Sequence, residues 1–380
     1  MPVEIRKVES QHDYTAFFEF PWVLYKDDPN WVPPLLSMRR ELFDKKKGAA
    51  WDYLEGDFFA AWRGDHLVGT IGAVINHRHN EYHNENIAWF GAFEVENDPE
   101  AASALLETAH QWAKDHGCTA LRGPQTFSTH EETGLLVEGF TRPVILYPYN
   151  KPYYQALVEG AGFTGVMDTY GYYLSAAKAI EIGTLDRLNR LSAAIEKRNK
   201  ITVRMADPKK LKAEFQLFKD LYNVAWEKNW GFVPMTAREL DNMVKALGQF
   251  FDHRLSFFAY VNGDPAGMVM GFPDFNQVLV KAYPKPGTPE IFTLIKAVYY
   301  WKVAKVIDWG RVPLLGVKEE YRGKGVDVVL YGALLRSMIE SGYKHSDSGW
   351  ILSTNQPMTG IAKNVGGEIY KVYRYYEKAC

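Results

Sequence analysis

The chain carries one sequence pattern twice. "FFAAWRGDHLVGTIGAVIN" begins at Phe58 and "FFAYVNGDPAGMVMGF" at Phe257. Each opens Phe-Phe-Ala, passes a Gly-Asp pair (Gly64-Asp65; Gly263-Asp264) and returns through an apolar run broken by glycines. Alternation on both sides of a Gly-Asp pair is a hairpin pattern. A second parallel stands upstream, Asn30-Trp31-Val32-Pro33 against Asn229-Trp230-Gly231-Phe232-Val233-Pro234. A third stands downstream, "YNKPYYQALVEGAGF" against "TNQPMTGIAKNVGGE". Three parallels in one order imply an internal duplication, so one topology must serve both halves.

Periodicity gives each half the order strand, helix, helix, hairpin, strand, helix, strand, helix, strand. In the first half the strands fall near residues 3–8, 57–63, 66–76, 87–96, 119–123 and 164–174, with a helix over 98–116 whose Pro99 suits a first turn. In the second half the strands fall near 201–205, 255–261, 266–272, 311–317, 346–352 and 368–377. The expected organisation is α/β with mixed sheets (α+β): a domain over 1–176, a charged helical connector over 177–199 and a domain over 200–380. An insertion between the second hairpin and its next strand carries a turn, Tyr283 to Pro289, and then an aromatic helix expected to pack on the neighbouring half.

Charge and cysteine content narrow the function classes. A net charge of −2 does not advertise nucleic acid or an anionic membrane as a partner, and neither is expected. Cys118 and Cys380 are too few for a disulfide framework or a zinc set. The N-terminal "MPVEIRKVES" lacks a signal-peptide layout, and a cytoplasmic location is expected. Oligomeric state is left open.

The segment "LLGVKEEYRGKGVDVVLYGALL", from Leu314, runs from an apolar strand through a glycine turn into a helix. Amides at a helix start are unpaired and carry the positive end of the dipole, so the backbone from Gly323 to Asp327 suits two phosphates. Val317, at the strand end, is placed to offer its N–H to a carbonyl. Asp327 opposes this. At an effective dielectric of about 20 and about 6 Å, one carboxylate repels one phosphate charge by about 3 kcal/mol, unless Arg322 or Lys324 pairs with it.

This element order, with Val317 five residues before Arg322, then Tyr321, Arg322 and Gly325, resembles the GNAT acyltransferase superfamily. The match is to its Q/R-x-x-G-x-G/A signature, with Asp327 in place of the last small residue. Asn355, Met358, Ile361 and Gly366 match a second GNAT pattern, with Ala362 where a catalytic tyrosine often stands. The resemblance implies two GNAT-like domains in tandem and acetyl-CoA or another acyl-CoA as co-substrate. It implies a small-molecule amine as acceptor and direct transfer in a ternary complex. It assigns acyl-CoA binding to Val317, Arg322, Gly323, Lys324, Gly325 and Val326, with Asn355 beside the pantetheine. The general base is unassigned. The first half carries Glu94, Glu96, Asp98 and Glu100 where the second has its glycine turn, and is expected to bind no acyl-CoA. A non-catalytic ligand-binding protein and an aminoacyl-tRNA-dependent Fem-type ligase are the alternatives.

Other clusters read mainly as structure. His77, His79 and His83 are expected in a solvated loop, without metal. The polar stretch from Gly123 to Phe140 offers His130, Glu131 and Glu132 for proton transfer if it is not simply an ordered loop. His345, Asp347 and Ser348 lie on one strand and lack a nucleophile elbow. Tyr373 and Tyr375 are expected to pack within a sheet.

Overall fold

The computed structural model describes residues 1–226, 229–248 and 250–380. In chain order the first elements are β1 (Glu4–Lys7), α1 (Gln11–Leu24), α2 (Leu36–Phe43), β2 (Leu54–Arg63), β3 (His66–Asn76), α3 (His77–His83), β4 (Ile87–Val95), α4 (Pro99–Asp115), β5 (Ala120–Gly123), β6 (Leu135–Glu138), α5 (Tyr154–Gly160) and β7 (Thr164–Ser175). Then come α6 (Ala176–Glu181), α7 (Thr184–Asn199), β8 (Ile201–Met205), α8 (Leu211–Trp226), α9 (Ala237–Gly248), β9 (Ser256–Val261) and β10 (Asp264–Pro273). The chain ends with α10 (Asn276–Ala282), α11 (Glu290–Val298), β11 (Trp309–Val317), α12 (Val326–Glu340), β12 (His345–Leu352), α13 (Gln356–Asn364) and β13 (Glu368–Ala379). The expected connector is two helices, parted at Gly183, whose φ is +66°.

Two compact units form, and they cut across the sequence halves. Unit 1 holds Met1–Thr169, Asn276–Lys305 and Lys371–Cys380; unit 2 holds Tyr170–Phe275 and Val306–Tyr370. In unit 1 the strands run β1-β2-β3-β4-β5 and then β13, with β4 and β5 parallel and β13 antiparallel to β5 through Tyr376–Ala379. In unit 2 they run β8-β9-β10-β11-β12 and then the end of β7, with β11 and β12 parallel. Each unit therefore takes its last strand from the other half of the sequence. The insertion belongs to unit 1: Trp22 Nε1 donates to Pro284 O at 2.7 Å, and Asn276 Nδ2 to Pro143 O at 2.9 Å.

Alternation along the strands builds a layer of helices on each face. In unit 2, Phe257, Ala259 and Val269 meet Leu330, Leu334 and Met338 of α12. Phe258, Met268 and Met270, one residue out of phase, meet Phe218 and Leu221 of α8 and Leu240 of α9. In unit 1, Ile71, Ala73 and Phe90 pack with Leu105, Leu106 and Ala109 of α4. An aromatic cluster of Phe17, Phe18, Phe43, Phe58 and Phe127 joins α1 and α2 to the unit.

The histidine segment corrects the expectation of a loop. It is α3, capped by Asn76, whose side chain accepts from the His79 amide at 2.8 Å. His79 is buried with Nε2 2.9 Å from Glu85, and burial pushes its pKa down to about 4. Tyr373 and Tyr375 are buried, Tyr375 Oη accepting from Thr133 Oγ1 at 2.9 Å.

Candidate active site

In unit 2 the two parallel strands pair over four rungs, Trp309–Val312 against His345–Ser348, beyond which no register is shared. Two features sit at the parting. A bulge opposite Gly271 shifts β11 against β10. Arg311 faces Asp347 directly across the ladder, both fully buried at 3.5 Å, with Arg311 Nη2 reaching Gly349 O at 3.4 Å and the guanidinium over the Trp350 ring. A buried pair of this kind fixes register more surely than it adds stability.

Past the parting, Lys318 N–H donates to Ala266 O at 2.9 Å. In an antiparallel ladder the preceding residue then turns its N–H and C=O to the opposite edge. Val317 does so, since its carbonyl accepts from Arg322 Nε at 3.2 Å. Its N–H points to the same edge, the one that β12 has left. Arg322 Nη2 also donates to Ala225 O at 3.0 Å, tying the strand end to α8.

The glycine turn follows. Gly323 and Gly325 have φ of +74° and +80°, a backbone that side chains rarely adopt. A Cβ on Gly325 would stand 2.9 Å from Ile195 of α7, whereas one on Gly323 would meet nothing within 4 Å. Asn199 Nδ2 holds Lys324 O at 2.6 Å. The turn thus has a packed side against α7 and an open side at Gly323. The amides of Arg322 and Lys324 close i→i+3 turns onto Glu319 O and Tyr321 O. A phosphate would be left the amides of Gly323, Gly325, Val326 and Asp327. The conformation fits a phosphate; Asp327 opposes it, its carboxylate accepting from the Val328 amide at 3.0 Å within the first turn of α12. Neither expected counter-charge sits on Asp327: Arg322 holds carbonyls and Lys324 lies over the Tyr321 ring.

Asn355 caps α13, its Oδ1 accepting from the Met358 amide at 3.3 Å. Ala362 is buried in a cluster with Ile351 and Tyr172. The Tyr172 hydroxyl is buried and has no hydrogen-bond partner among the described residues. It comes from β7, far from the motif in sequence, and no local pattern announces it.

Unit 1 has no glycine turn after β4. Asp98 accepts from the amides of Glu100 and Ala101 at 3.1 Å each and pairs with Arg63 at 2.8 Å. Glu94 is not at this helix start. Its Oε2 accepts from Tyr25 Oη at 2.7 Å and Tyr154 Oη at 2.8 Å. Burial pushes its pKa up to about 7, against those hydrogen bonds and the nearby Arg39. Arg39 pairs with Glu132 at 3.6 Å, while Glu131 accepts from the Ser128 amide at 3.0 Å. The charge of Glu132 also raises the pKa of Glu94.

Comparison with solved structures identifies the fold. A tandem GNAT protein from the clavulanic acid biosynthesis pathway aligns with a TM-score of 0.54 at 13% identity, over 99% of this chain and 98% of its own. A GCN5-related N-acetyltransferase from Sphaerobacter thermophilus aligns at 0.51 and 11% identity, over 99% and 95%. The chain has the tandem GNAT fold, with mixed α/β units. Two curated relatives narrow this. Bacterial ceramide synthase of Caulobacter vibrioides is 32% identical over 378 residues, 98% of this chain and 96% of the relative. Protein YghO of Escherichia coli (strain K12) is 30% identical over 379 residues, 98% and 95%. The chain belongs to the family these two proteins represent. No protein-family model matches it.

Proposed function

We propose that the protein is an acyl-CoA-dependent N-acyltransferase whose acceptor is the amino group of a long-chain amino alcohol. The observation that carries the reaction type is the end of β11: Val317 turns its N–H to the edge β12 has left, directly before a glycine turn at a helix start. The acceptor class rests on the relative named bacterial ceramide synthase, a ceramide being the amide of a fatty acid with such an amino alcohol.

In this reading the amides of Gly323, Gly325, Val326 and Asp327 meet the pyrophosphate, and Val317 N–H donates to the thioester oxygen as charge gathers there. Donors of that kind commonly contribute about 3 kcal/mol to lowering the barrier. The amine attacks the thioester carbon, the C–N bond forms, the C–S bond breaks, and the CoA thiolate takes a proton. We assign that proton to the Tyr172 hydroxyl, which is buried beside Ala362 and whose oxygen then takes the proton that the nitrogen gives up.

The test is to incubate the full chain with sphinganine and either acetyl-CoA or palmitoyl-CoA, following amide by mass spectrometry and free thiol by colour. Amide in step with thiol is expected, with longer chains preferred. CoA binding without amide would leave a ligand-binding protein and overturn the reading.

A further inference from the structure

The insertion presents an amphipathic helix with its apolar face outward. α11 continues as a π-type turn over Tyr299–Val303. Its two buried positions are small, Thr293 and Ala297. Its large apolar residues face solvent: Phe292 is 56% exposed, Ile295 60%, Val298 56% and Val303 68%. The near end is pinned to unit 1. Trp22 holds Pro284 O, and Glu290 accepts from the Ser37 amide at 3.0 Å and from the Ser37 hydroxyl. A helix that buries its smallest residues and shows its largest apolar ones marks a docking face.

Charge selects the occupant. Between Asn276 and Lys305 there are five lysines (281, 285, 296, 302 and 305) and one acid, Glu290, a local charge of +4 in a chain whose net charge is −2. All five lysines are exposed. Lys302 lies over the Trp301 ring, so cation and amphipathic aromatic sit side by side, as at a lipid headgroup layer. A second copy on this face would set +4 against +4. Acidic headgroups would neutralise the lysines while acyl chains cover the apolar face. No described helix is long and apolar enough to cross a membrane, so the mode is to lie in the surface.

We propose that α11 and the turn after it dock the protein onto an anionic bilayer, an outcome that net charge alone argues against. The inference stands apart from the acyl-transfer reading, though a membrane-held amino alcohol would make the two useful to each other.

The experiment is co-flotation of the full chain with phosphatidylcholine vesicles, with and without phosphatidylglycerol, in the absence of CoA and amine. Binding to the anionic vesicles is expected to exceed that to neutral ones by about tenfold or more, and to fall as salt rises to about 0.5 M. I295D/V298D changes two exposed positions and is expected to abolish binding with circular dichroism unchanged; K296E/K302E is expected to weaken it selectively on anionic vesicles. No binding to anionic vesicles, or equal binding by I295D/V298D, overturns the proposal. So does a dimer by light scattering that I295D/V298D dissociates while the full chain ignores vesicles. Because the assay contains no substrate, its failure leaves the acyl-transfer reading intact.

Discussion

At Asp327 two effects oppose each other. Its carboxylate accepts from the Val328 amide and favours the start of α12; the dipole term is about 0.3–1 kcal/mol. The same charge repels a pyrophosphate on that turn by up to about 3 kcal/mol. Asp327→Asn is therefore expected to lower thermal stability slightly and tighten CoA binding by about tenfold or more; looser binding in calorimetry would contradict this. Glu94 gives a second residue-scale prediction. Its pKa of about 7 lies above the usual carboxylate value. The stability linked to its neutral form is fully present below about pH 4.5 and is lost as pH rises through about 7. Relative to Glu94→Gln, the native chain should lose up to about 3 kcal/mol between pH 5 and pH 9, read from urea midpoints; a constant difference would count against it. The sequence hid Glu94. It reads as one of four acids before a helix, and the tyrosines that close over it lie 69 and 60 positions away. Val317 and the glycines were legible because spacing along one strand-turn-helix unit carries them.

At the scale of elements, the hairpins and most strands were readable because period-2 alternation survives in short runs; β6 was not, its four residues lying inside the stretch read as a polar loop. α3 was not, since seven polar residues give no usable 3.6-residue period and its cap, Asn76, lies within the preceding strand. The helix of the insertion was legible as a helix; which way its apolar face points depends on what unit 1 offers it. The parting of β11 from β12 was invisible, because of the two residues that mark it Arg311 belongs to no motif and Asp347 reads as part of a weak triad fragment. Asp347→Ala would leave a buried guanidinium without its facing carboxylate. It is expected to destabilise unit 2 by about 3–5 kcal/mol, seen as a lower denaturant midpoint; a loss under about 1 kcal/mol would show that the pair does not hold the ladder.

For the molecule as a whole, duplication was plain in the sequence and the exchange of final strands was not. Repeats report which residues share an ancestor, whereas strand pairing is decided by which edge is nearest and most apolar. Because β13 completes unit 1 and β7 completes unit 2, residues 1–199 and 200–380 made separately should each lack a closing strand. Neither is expected to unfold cooperatively alone, and the two should associate when co-expressed; a stably folded single half would refute the exchange. The central claim, that the turn of unit 2 holds acyl-CoA, is tested most directly at Gly323. The open side of that position admits a side chain, and Asp and Asn both tolerate its positive φ. Calorimetric titration of the full chain with palmitoyl-CoA should show binding that Gly323→Asn largely keeps and Gly323→Asp weakens by about tenfold to a hundredfold. Equal binding by the two variants, or no heat with the native chain, would contradict the account.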